Sequence, residues 1–242
     1  MKKTVMELLK TEPLCENVFK SVFVGDTSGI TNAGQFVNVS IKGLYLRRPV
    51  SVCDLNGDEL TLVYKVVGKG TEILSRAERG DKFDMLTGLG NGYDLSAAGD
   101  SPLLIGGGVG VPPLYLLAKE LLKRGKKISV ALGFNRDRDV FFIREFSDLG
   151  ATVYLATADG SRGEKGFVTD VLPKDCSYFY ACGPEPMLKA VYRATESQGE
   201  FSFEERMGCG FGACMGCSCK TLTGSKRICK DGPVLKKGEI LW

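Results

Sequence analysis

The stretch Leu103-Leu-Ile-Gly-Gly-Gly-Val-Gly-Val-Pro-Pro113 joins a short apolar segment to a glycine turn and two prolines. The apolar segment predicts a buried strand, and a proline in a first helical turn is favoured because its missing N–H is not needed there. Strand, glycine turn and helix open a doubly wound α/β unit, which binds nucleotide phosphates at the carboxyl ends of its strands. The candidate nucleotide-binding residues are therefore Gly107, Gly108 and Gly110. Val111 stands where the third glycine of the G-x-G-x-x-G fingerprint would be.

Strands and helices alternate on the C-terminal side of this turn, as expected for a doubly wound α/β domain. Strands are predicted at Leu103–Ile105, Ile128–Leu132, Thr152–Ala156 and Tyr178–Ala181, and helices at about Pro112–Lys123, Arg144–Leu149 and Met187–Gln198. No acidic residue stands at the end of the second strand, so the preference between NAD and NADP is open.

A second glycine turn, Cys182-Gly-Pro-Glu-Pro-Met187, follows the last of these strands. Such a turn lets the backbone approach a nicotinamide closely, which makes Cys182, Gly183 and Pro184 candidate contacts. A purely structural turn is an equally good interpretation of these residues alone.

On the N-terminal side, up to about residue 98, short strand-like runs are separated by Gly, Asp and Asn. The runs are Val18–Val24, Gln35–Ile41, Arg48–Cys53 and Leu60–Val67. Strands at this spacing predict a small antiparallel barrel, interrupted by one helical turn from Thr71 to Ala77 with Thr71 as its N-cap.

Arg47-Arg-Pro-Val-Ser51 is the first chemical motif of the barrel. A guanidinium and a hydroxyl on one strand can bind an anionic phosphate through charge-assisted hydrogen bonds. A solvated arginine pair beside a proline is the simpler interpretation of this motif alone. It gains weight from Gly68-Lys-Gly-Thr71, where glycines before a helix leave N–H groups free for a pyrophosphate. Tyr64 could offer its ring to a flavin or adenine, although core packing would explain it equally.

Four cysteines near the C-terminus, Cys209, Cys214, Cys217 and Cys229, have the spacing C-x4-C-x2-C followed by a distant fourth cysteine. The first three match the ligand spacing of plant-type [2Fe–2S] proteins. The glycines between them permit the tight turns that wrapping a cluster requires. Cys219 breaks the pattern and is interpreted as a bystander.

Zinc and disulfides are the alternatives for these cysteines. Structural zinc more often uses two C-x2-C pairs or histidine, and the chain has one such pair and no histidine. The lack of histidine also excludes a Rieske centre. Nine cysteines without a secretory signal indicate a reducing cytoplasm rather than disulfides. Iron–sulfur ligation is favoured, and zinc stays open.

Composition limits the remaining function classes. A net charge of +3 with scattered basic residues does not suggest a nucleic-acid partner. The longest apolar stretch, Pro102 to Ala118, is interrupted by glycines and prolines and does not predict a membrane span. We expect a cytoplasmic protein with domains at 1–98, 99–200 and 201–242.

Taken in order, these motifs resemble the ferredoxin-reductase superfamily: an N-terminal antiparallel flavin-binding β-barrel, a doubly wound nucleotide-binding domain and here a C-terminal [2Fe–2S] module. The cysteine module narrows the resemblance to the electron-transfer subunits of NAD-dependent (class 1B) dihydroorotate dehydrogenases. The stretches that carry it are Arg47–Ser51, Gly90-Asn-Gly92, Asp159-Gly-Ser161, Gly166-Phe-Val-Thr-Asp170, Met207–Cys217 and Cys229-Lys-Asp-Gly-Pro-Val234. The resemblance runs from near residue 15 to residue 242.

The resemblance implies three cofactors, FAD, a [2Fe–2S] cluster and NAD, and assigns residues to two of them. FAD would be held by Arg48, Pro49, Val50, Ser51, Val63, Tyr64, Lys65, Gly70 and Thr71, and the cluster by Cys209, Cys214, Cys217 and Cys229. Lys65 departs from the arginine expected after the tyrosine, and Thr87-Gly88 departs from the usual Gly-Pro.

The resemblance also implies a relay in pyrimidine biosynthesis. Electrons would pass from the FMN of a separate dihydroorotate-oxidising subunit through the cluster and FAD to NAD+, in a heterotetramer with two copies of each subunit. The alternatives are the electron-transfer subunit of a ferredoxin:NADP oxidoreductase or sulfide dehydrogenase, and a zinc-stabilised flavin-binding module that is no enzyme. In those related subunits we expect Asp-Gly-Thr-Gly between the first two ligands, where this chain has Gly210-Phe-Gly-Ala213.

Overall fold

A computed structural model describes residues 1–242, and its N-terminal part is a closed six-stranded antiparallel barrel. The strands in chain order are β1 (Lys2–Cys15), β2 (Val18–Val24), β3 (Phe36–Val39), β4 (Arg48–Asn56), β5 (Glu59–Lys65) and β6 (Lys82–Leu89). They neighbour one another in the order β1-β2-β5-β4-β3-β6, and β6 closes onto β1. The barrel predicted from the sequence is therefore confirmed.

Among the six barrel strands, sequence patterning identified neither β6, whose burial alternates, nor the less regular β1. Strand β1 pairs with both β2 and β6, yet only Met6 and Leu8 along it are fully buried. Charged residues occupy much of the remainder, so the strand lacks the clear alternation of apolar and polar residues that marks β5.

The helix in the barrel, α1 (Lys69–Ser75), begins two residues before the predicted N-cap at Thr71. The predicted cap is wrong because Thr71 lies inside the first turn. Its hydroxyl oxygen accepts from the N–H of Val67 at 3.0 Å, and its O–H donates to the Gly68 carbonyl at 3.0 Å. Thr71 therefore stabilises the entry into the helix from within.

The second part is an α/β unit, as predicted. Its strands are β7 (Leu103–Gly107), β8 (Ser129–Phe134), β9 (Thr152–Thr157), β10 (Glu164–Lys165), β11 (Phe179–Cys182) and β12 (Gly199–Ser202), and its helices are α2 (Pro113–Lys123), α3 (Ile143–Asp148) and α4 (Glu185–Ala194). These strands pair in parallel. No helix in the protein is long and apolar enough to cross a membrane.

The C-terminal segment forms a hairpin and then joins the sheet. The hairpin strands are β13 (Ser218–Thr221) and β14 (Gly224–Arg227), and the joining strand is β15 (Val234–Lys236). β15 pairs antiparallel with β12, which gives the sheet order β10-β9-β8-β7-β11-β12-β15. The predicted boundary between residues 200 and 201 falls inside β12 because the chain enters the sheet there, and the domain division stays a prediction.

The loop after β6 joins all three parts of the molecule. The side-chain amide of Asn91 donates to the Val234 carbonyl at 2.8 Å, and its oxygen accepts from the Val234 N–H at 3.1 Å. The backbone N–H of Asn91 donates to the Gly232 carbonyl at 2.8 Å. Three residues on, the N–H of Asp94 donates to the Glu200 carboxylate on β12 at 3.0 Å. We call the Asn91–Val234 pairing the amide clasp.

We expect Asn91→Ala to lower the free energy of unfolding by about 1–3 kcal/mol, because it leaves two backbone groups of Val234 without partners. Urea unfolding of the cofactor-loaded protein measures this change. The control is Asn56→Ala, because the exposed Asn56 side chain makes no hydrogen bond in the structure. Equal stability of the two variants would contradict the prediction.

Candidate functional site

The four predicted cluster ligands meet as two pairs. The N–H of Cys209 lies 3.5 Å from the Cys214 sulfur, and the N–H of Cys214 lies 3.4 Å from the Cys209 sulfur. In the second pair, the N–H of Cys229 lies 3.4 Å from the Cys217 sulfur. No three His, Cys, Asp or Glu side chains are arranged to hold a single metal ion. Two thiolate pairs match two irons with two protein ligands each, so the donor set fits a [2Fe–2S] cluster.

The loop between the first two cysteines wraps its backbone around their sulfur atoms. Gly210 and Gly212 have φ of +77° and +94°, a region that glycine enters without strain. The N–H of Ala213 lies 3.2 Å from the Cys209 sulfur. Burial raises the pKa of Cys209, but N–H groups of the loop outweigh it and lower the pKa to about 6. The loop therefore favours the thiolate that ligation requires.

The second pair is buried more deeply than the first. Cys217 and Cys229 are each 2% exposed, whereas Cys214 is exposed. Burial and the neighbouring Cys217 raise the pKa of the Cys229 thiol to about 12, against a smaller opposing effect of the Gly212 N–H. One side of the candidate site thus faces solvent and the other faces the protein core.

Cys219, predicted to be a bystander, lies on β13 opposite Lys226 of β14. It is partly buried, and burial raises the pKa of its thiol. It makes none of the N–H to sulfur contacts that connect the four candidate ligands.

Strand β3 contacts the cluster loop through one side chain and pairs with the predicted flavin strand β4. Asn38 donates from its amide nitrogen to the Cys209 carbonyl at 3.2 Å, and a methyl group on Gly210 would collide with it. Asn38 is the partner of Pro49 in the sheet, and Phe36 is the partner of Ser51. Sequence reasoning missed Asn38, because no motif marks it.

The predicted flavin residues divide into a surface group and a core group. Arg48 at the start of β4 rests its guanidinium on Gly70 of α1, where any side chain would collide with it. Arg48, although 22 positions away from Gly70 in the sequence, therefore covers the buried Gly70 at the start of α1, where its guanidinium can bind an anionic phosphate. Ser51 is partly buried on the same strand, and Pro49 and Lys65 are exposed.

Val50, Val63 and Tyr64 belong to the hydrophobic core instead. Tyr64 is 4% exposed, stacks on Phe19 and shares a 2.9 Å hydrogen bond with the Ser21 hydroxyl. Burial raises the pKa of the Tyr64 hydroxyl to about 12. The Tyr64 side chain packs against β2, and its contact with a flavin stays a prediction.

The two glycine turns predicted for the nicotinamide cofactor lie side by side. β7 and β11 are neighbours, with Gly106 opposite Cys182. A side chain at Gly110 would collide with the Cys182 carbonyl, and one at Gly107 would collide with the Met187 sulfur. Gly108 follows with φ of +51°. The turns meet at the point where the strand order reverses, the usual ligand-binding place in such sheets.

A buried tyrosine completes this region. The Tyr93 hydroxyl is buried near Ser202 and Cys182 but has no hydrogen-bond partner in good geometry, and Asn38 Oδ1 is likewise buried and unpaired. Such atoms are rare, and a bound polar group commonly satisfies them. Asn38 lies on barrel strand β3 and Tyr93 follows strand β6, so the two unpaired atoms belong to different places in the molecule. Sequence reasoning missed Tyr93, although the quoted Gly90-Asn-Gly92 stretch immediately precedes it.

Serine substitution should separate the ligands from the bystander. We expect Cys209→Ser, Cys214→Ser, Cys217→Ser and Cys229→Ser each to lose the iron–sulfur absorption, because serine oxygen replaces a thiolate ligand poorly. Cys219→Ser is the matched control and should keep wild-type iron content. Iron and sulfide analysis with visible spectroscopy measures the result, and loss of the cluster in Cys219→Ser would contradict the assignment.

Arg48→Lys should raise the dissociation constant of FAD about tenfold, which corresponds to about 1.4 kcal/mol, because lysine keeps the charge but lacks the planar fork. Fluorescence titration of the flavin-free protein with FAD measures it. Arg79→Lys, at an exposed position without an ion pair, is the control. An unchanged dissociation constant in Arg48→Lys would argue against the phosphate surface.

Comparison with known proteins places these features in a family. Residues 204–241 match the model of the iron-sulfur cluster binding domain of dihydroorotate dehydrogenase B, and residues 104–193 match the oxidoreductase NAD-binding domain. The ligand cysteines and both glycine turns lie inside these matches. The chain therefore has an iron–sulfur domain and an NAD-binding domain.

Two curated relatives are dihydroorotate dehydrogenase B (NAD(+)) electron transfer subunits. That of Geobacillus sp. (strain WCH70) is 45% identical over 256 aligned residues, covering 100% of this chain and 99% of the relative. That of Bacillus caldolyticus is 46% identical over 222 residues and covers 86% of each.

Solved structures agree on the fold. An NADH-dependent reduced ferredoxin-NADP oxidoreductase is 30% identical with a TM-score of 0.87, covering 98% of this chain and 90% of that one. A ferredoxin NADP+ reductase from Neisseria gonorrhoeae is similar in fold alone, at 15% identity and a TM-score of 0.69 over 80% of this chain and 90% of that one. With full-length relatives at 45% identity, the chain belongs to the family of dihydroorotate dehydrogenase B (NAD(+)) electron transfer subunits.

Proposed function

We propose that this chain carries electrons from the FMN of a dihydroorotate-oxidising partner subunit to NAD+, through a [2Fe–2S] cluster on Cys209, Cys214, Cys217 and Cys229 and through FAD on the barrel. The cofactors supply the redox chemistry, and the protein supplies their positions and surroundings. The observation that carries the proposal is the Asn38 contact with the Cys209 carbonyl, because it joins the cluster loop to the strand beside β4.

The surface of β4 and α1 would hold FAD. Arg48 can bind the pyrophosphate while Gly70 leaves space for its guanidinium. Pro49, opposite Asn38 in the sheet, would then lie on the part of β4 nearest the cluster loop, with Ser51 two residues further along the strand. The unpaired Oδ1 of Asn38, next to the cluster loop, and the unpaired Tyr93 hydroxyl, near Cys182 and Ser202, would each be available to a bound polar group.

The adjacent turns at Gly107–Gly110 and Cys182–Pro184 would hold NAD. Glycines let the backbone approach the pyrophosphate, and the first turn of α2 adds its N–H groups. Burial raises the pKa of Cys182 to about 12, so this thiol stays neutral at physiological pH. Cys182 would therefore contact the nicotinamide as a small apolar group rather than act as a nucleophile or base.

Dihydroorotate oxidation belongs on the partner in this proposal. The chain has no histidine, and its buried thiols at Cys53 and Cys182 have raised pKa values that disfavour the reactive thiolate. We further propose a cytoplasmic heterotetramer with two copies of each subunit, since nine free thiols suit a reducing compartment.

The test is to purify the chain alone and together with an FMN-containing catalytic subunit. Alone, it should contain FAD and two irons and oxidise NADH with an artificial acceptor, without turning over dihydroorotate. The complex should reduce NAD+ with dihydroorotate. Turnover of dihydroorotate by the chain alone would overturn the proposal, as would a complex that fails to reduce NAD+.

Cys229→Ser in the complex is the internal control. It should abolish dihydroorotate-dependent NAD+ reduction, because the cluster connects the two flavins. NADH oxidation by an artificial acceptor should persist, because that reaction needs only FAD and the nicotinamide site. Loss of both activities together would argue against the proposal that the cluster and FAD act one after the other in electron transfer.

A ferredoxin-linked oxidoreductase subunit is the second candidate, and the TM-score of 0.87 to such a protein favours it. Against it stand the higher identity to dihydroorotate dehydrogenase subunits and the Gly210-Phe-Gly-Ala213 stretch between the first two ligands. Ferredoxin-dependent NADP+ reduction, without activity on dihydroorotate in the complex, would identify this function.

A further inference from the structure

Arg227, at the end of β14, is fixed by a carboxylate beside the second cysteine pair. Its Nε donates to Asp231 Oδ2 at 3.0 Å and its Nη2 donates to Asp231 Oδ1 at 3.3 Å. The backbone N–H of Arg227 also donates to Asp231 Oδ2, at 2.9 Å. Arg227 and Asp231 flank Cys229 on either side in the sequence, so this bidentate pair closes a short turn around one candidate ligand.

The remaining guanidinium nitrogen reaches across to the first pair. Arg227 Nη1 donates to the Gly212 carbonyl at 2.9 Å, and Gly212 lies between Cys209 and Cys214. Apart from contacts with cysteine sulfur, this is the hydrogen bond that attaches residues 210–213 to the rest of the protein. Arg227 therefore joins the exposed loop with the first thiolate pair to the hairpin with the second.

Arg227 and Asp231 lie beside both ligands of the second pair. Ser218, which follows Cys217, is the sheet partner of Arg227, and the N–H of Ile228 donates to the Cys217 carbonyl at 3.1 Å. The Arg227 and Asp231 side chains are only 24% and 32% exposed, so water screens them incompletely.

We propose that Arg227 and Asp231 form a strap that holds the two thiolate pairs at the spacing of the cluster and sets its reduction potential. The inference rests on the proposed function, since it requires the [2Fe–2S] cluster. Both are positioning residues, because they act through Gly212 and through charge rather than by ligation. Hydrogen bonds and charges around cluster sulfurs control such potentials.

The geometry of the Arg227–Asp231 pair differs from that of an ordinary surface ion pair, which contributes little to the free energy of unfolding. The planar guanidinium uses one edge on the carboxylate and a third nitrogen on a carbonyl, and lysine cannot reproduce that combination. Lys226–Glu239 in the same module is exposed to a similar extent, but it has a single 2.6 Å contact and no bidentate fork.

The test uses variants whose charge effects have opposite signs. Arg227→Gln removes a positive charge and should make the potential of the [2Fe–2S] cluster more negative, because the reduced cluster carries more negative charge. Asp231→Asn leaves the guanidinium uncompensated and should make the potential more positive. Mediated redox titration followed by EPR measures both, and Lys226→Gln, one residue away on β14, is the control.

Arg227→Lys distinguishes the effect of the hydrogen bonds that hold the two thiolate pairs together from the effect of the positive charge on the reduction potential. It keeps the charge but loses the fork, so its potential should stay nearer to wild type than that of Arg227→Gln. Loss of the cluster to a chelator should be about tenfold faster in both variants, in line with the usual effect of removing an outer-shell partner. Circular dichroism checks that the remainder of each variant is folded.

Shifts of the same sign in Arg227→Gln and Asp231→Asn, or shifts no larger than in Lys226→Gln, would overturn the inference while leaving the proposed function intact. Wild-type chelator resistance in both Arg227 variants would do the same. A wild-type protein without a [2Fe–2S] signal would overturn the proposed function, and this inference with it.

Discussion

The amide clasp between Asn91 and Val234 is the contact on which the rest of the molecule depends. The segment 204–241 carries all four candidate ligands, and it is too short to bury a core of its own without a metal or disulfides. It gains one by adding β15 to the edge of the α/β sheet. Asn91 fixes that strand from the barrel side through both backbone groups of Val234. The cysteine segment, the barrel and the sheet are therefore held together by contacts with the same strand.

These contacts between the barrel, the sheet and the cysteine segment explain the order in which the candidate cluster, flavin and nicotinamide sites lie. Strand β3 contacts the cluster loop through the Asn38 side chain and pairs with β4 through its backbone. On the far side of the barrel loop, Asp94 and Glu200 join the barrel to β12, next to the turn at Cys182. Electron transfer requires cofactors at short, constant separations, and rigid contacts between their supporting elements provide them. A cluster on an independent domain would lack that constancy.

Interpretation of the sequence was accurate where an element depends on residues close together in the chain, and it failed where the element depends on contacts with other strands. β5 alternates clearly and was predicted nearly to its ends, and so was α2, with proline at its start. β1 escaped prediction because its charged residues obscure the alternation, and it is a strand only because β2 and β6 pair with it. The predicted cap at Thr71 failed because Thr71 bonds backward to Val67 and Gly68 instead. Local pattern identifies an element, whereas its ends depend on neighbouring atoms.

The sequence by itself determined the ligand spacing of the cysteines, the two glycine turns and the succession of barrel, α/β unit and cysteine module. Each of these features depends on residues that are close together in the chain. Only the tertiary structure decided that the thiols meet as two pairs and that Asn38, Asn91 and Arg227 support them. The Asn38 contact spans 171 positions and the amide clasp 143. Local periodicity and spacing carry no information on contacts across that distance, which form only when the elements pack.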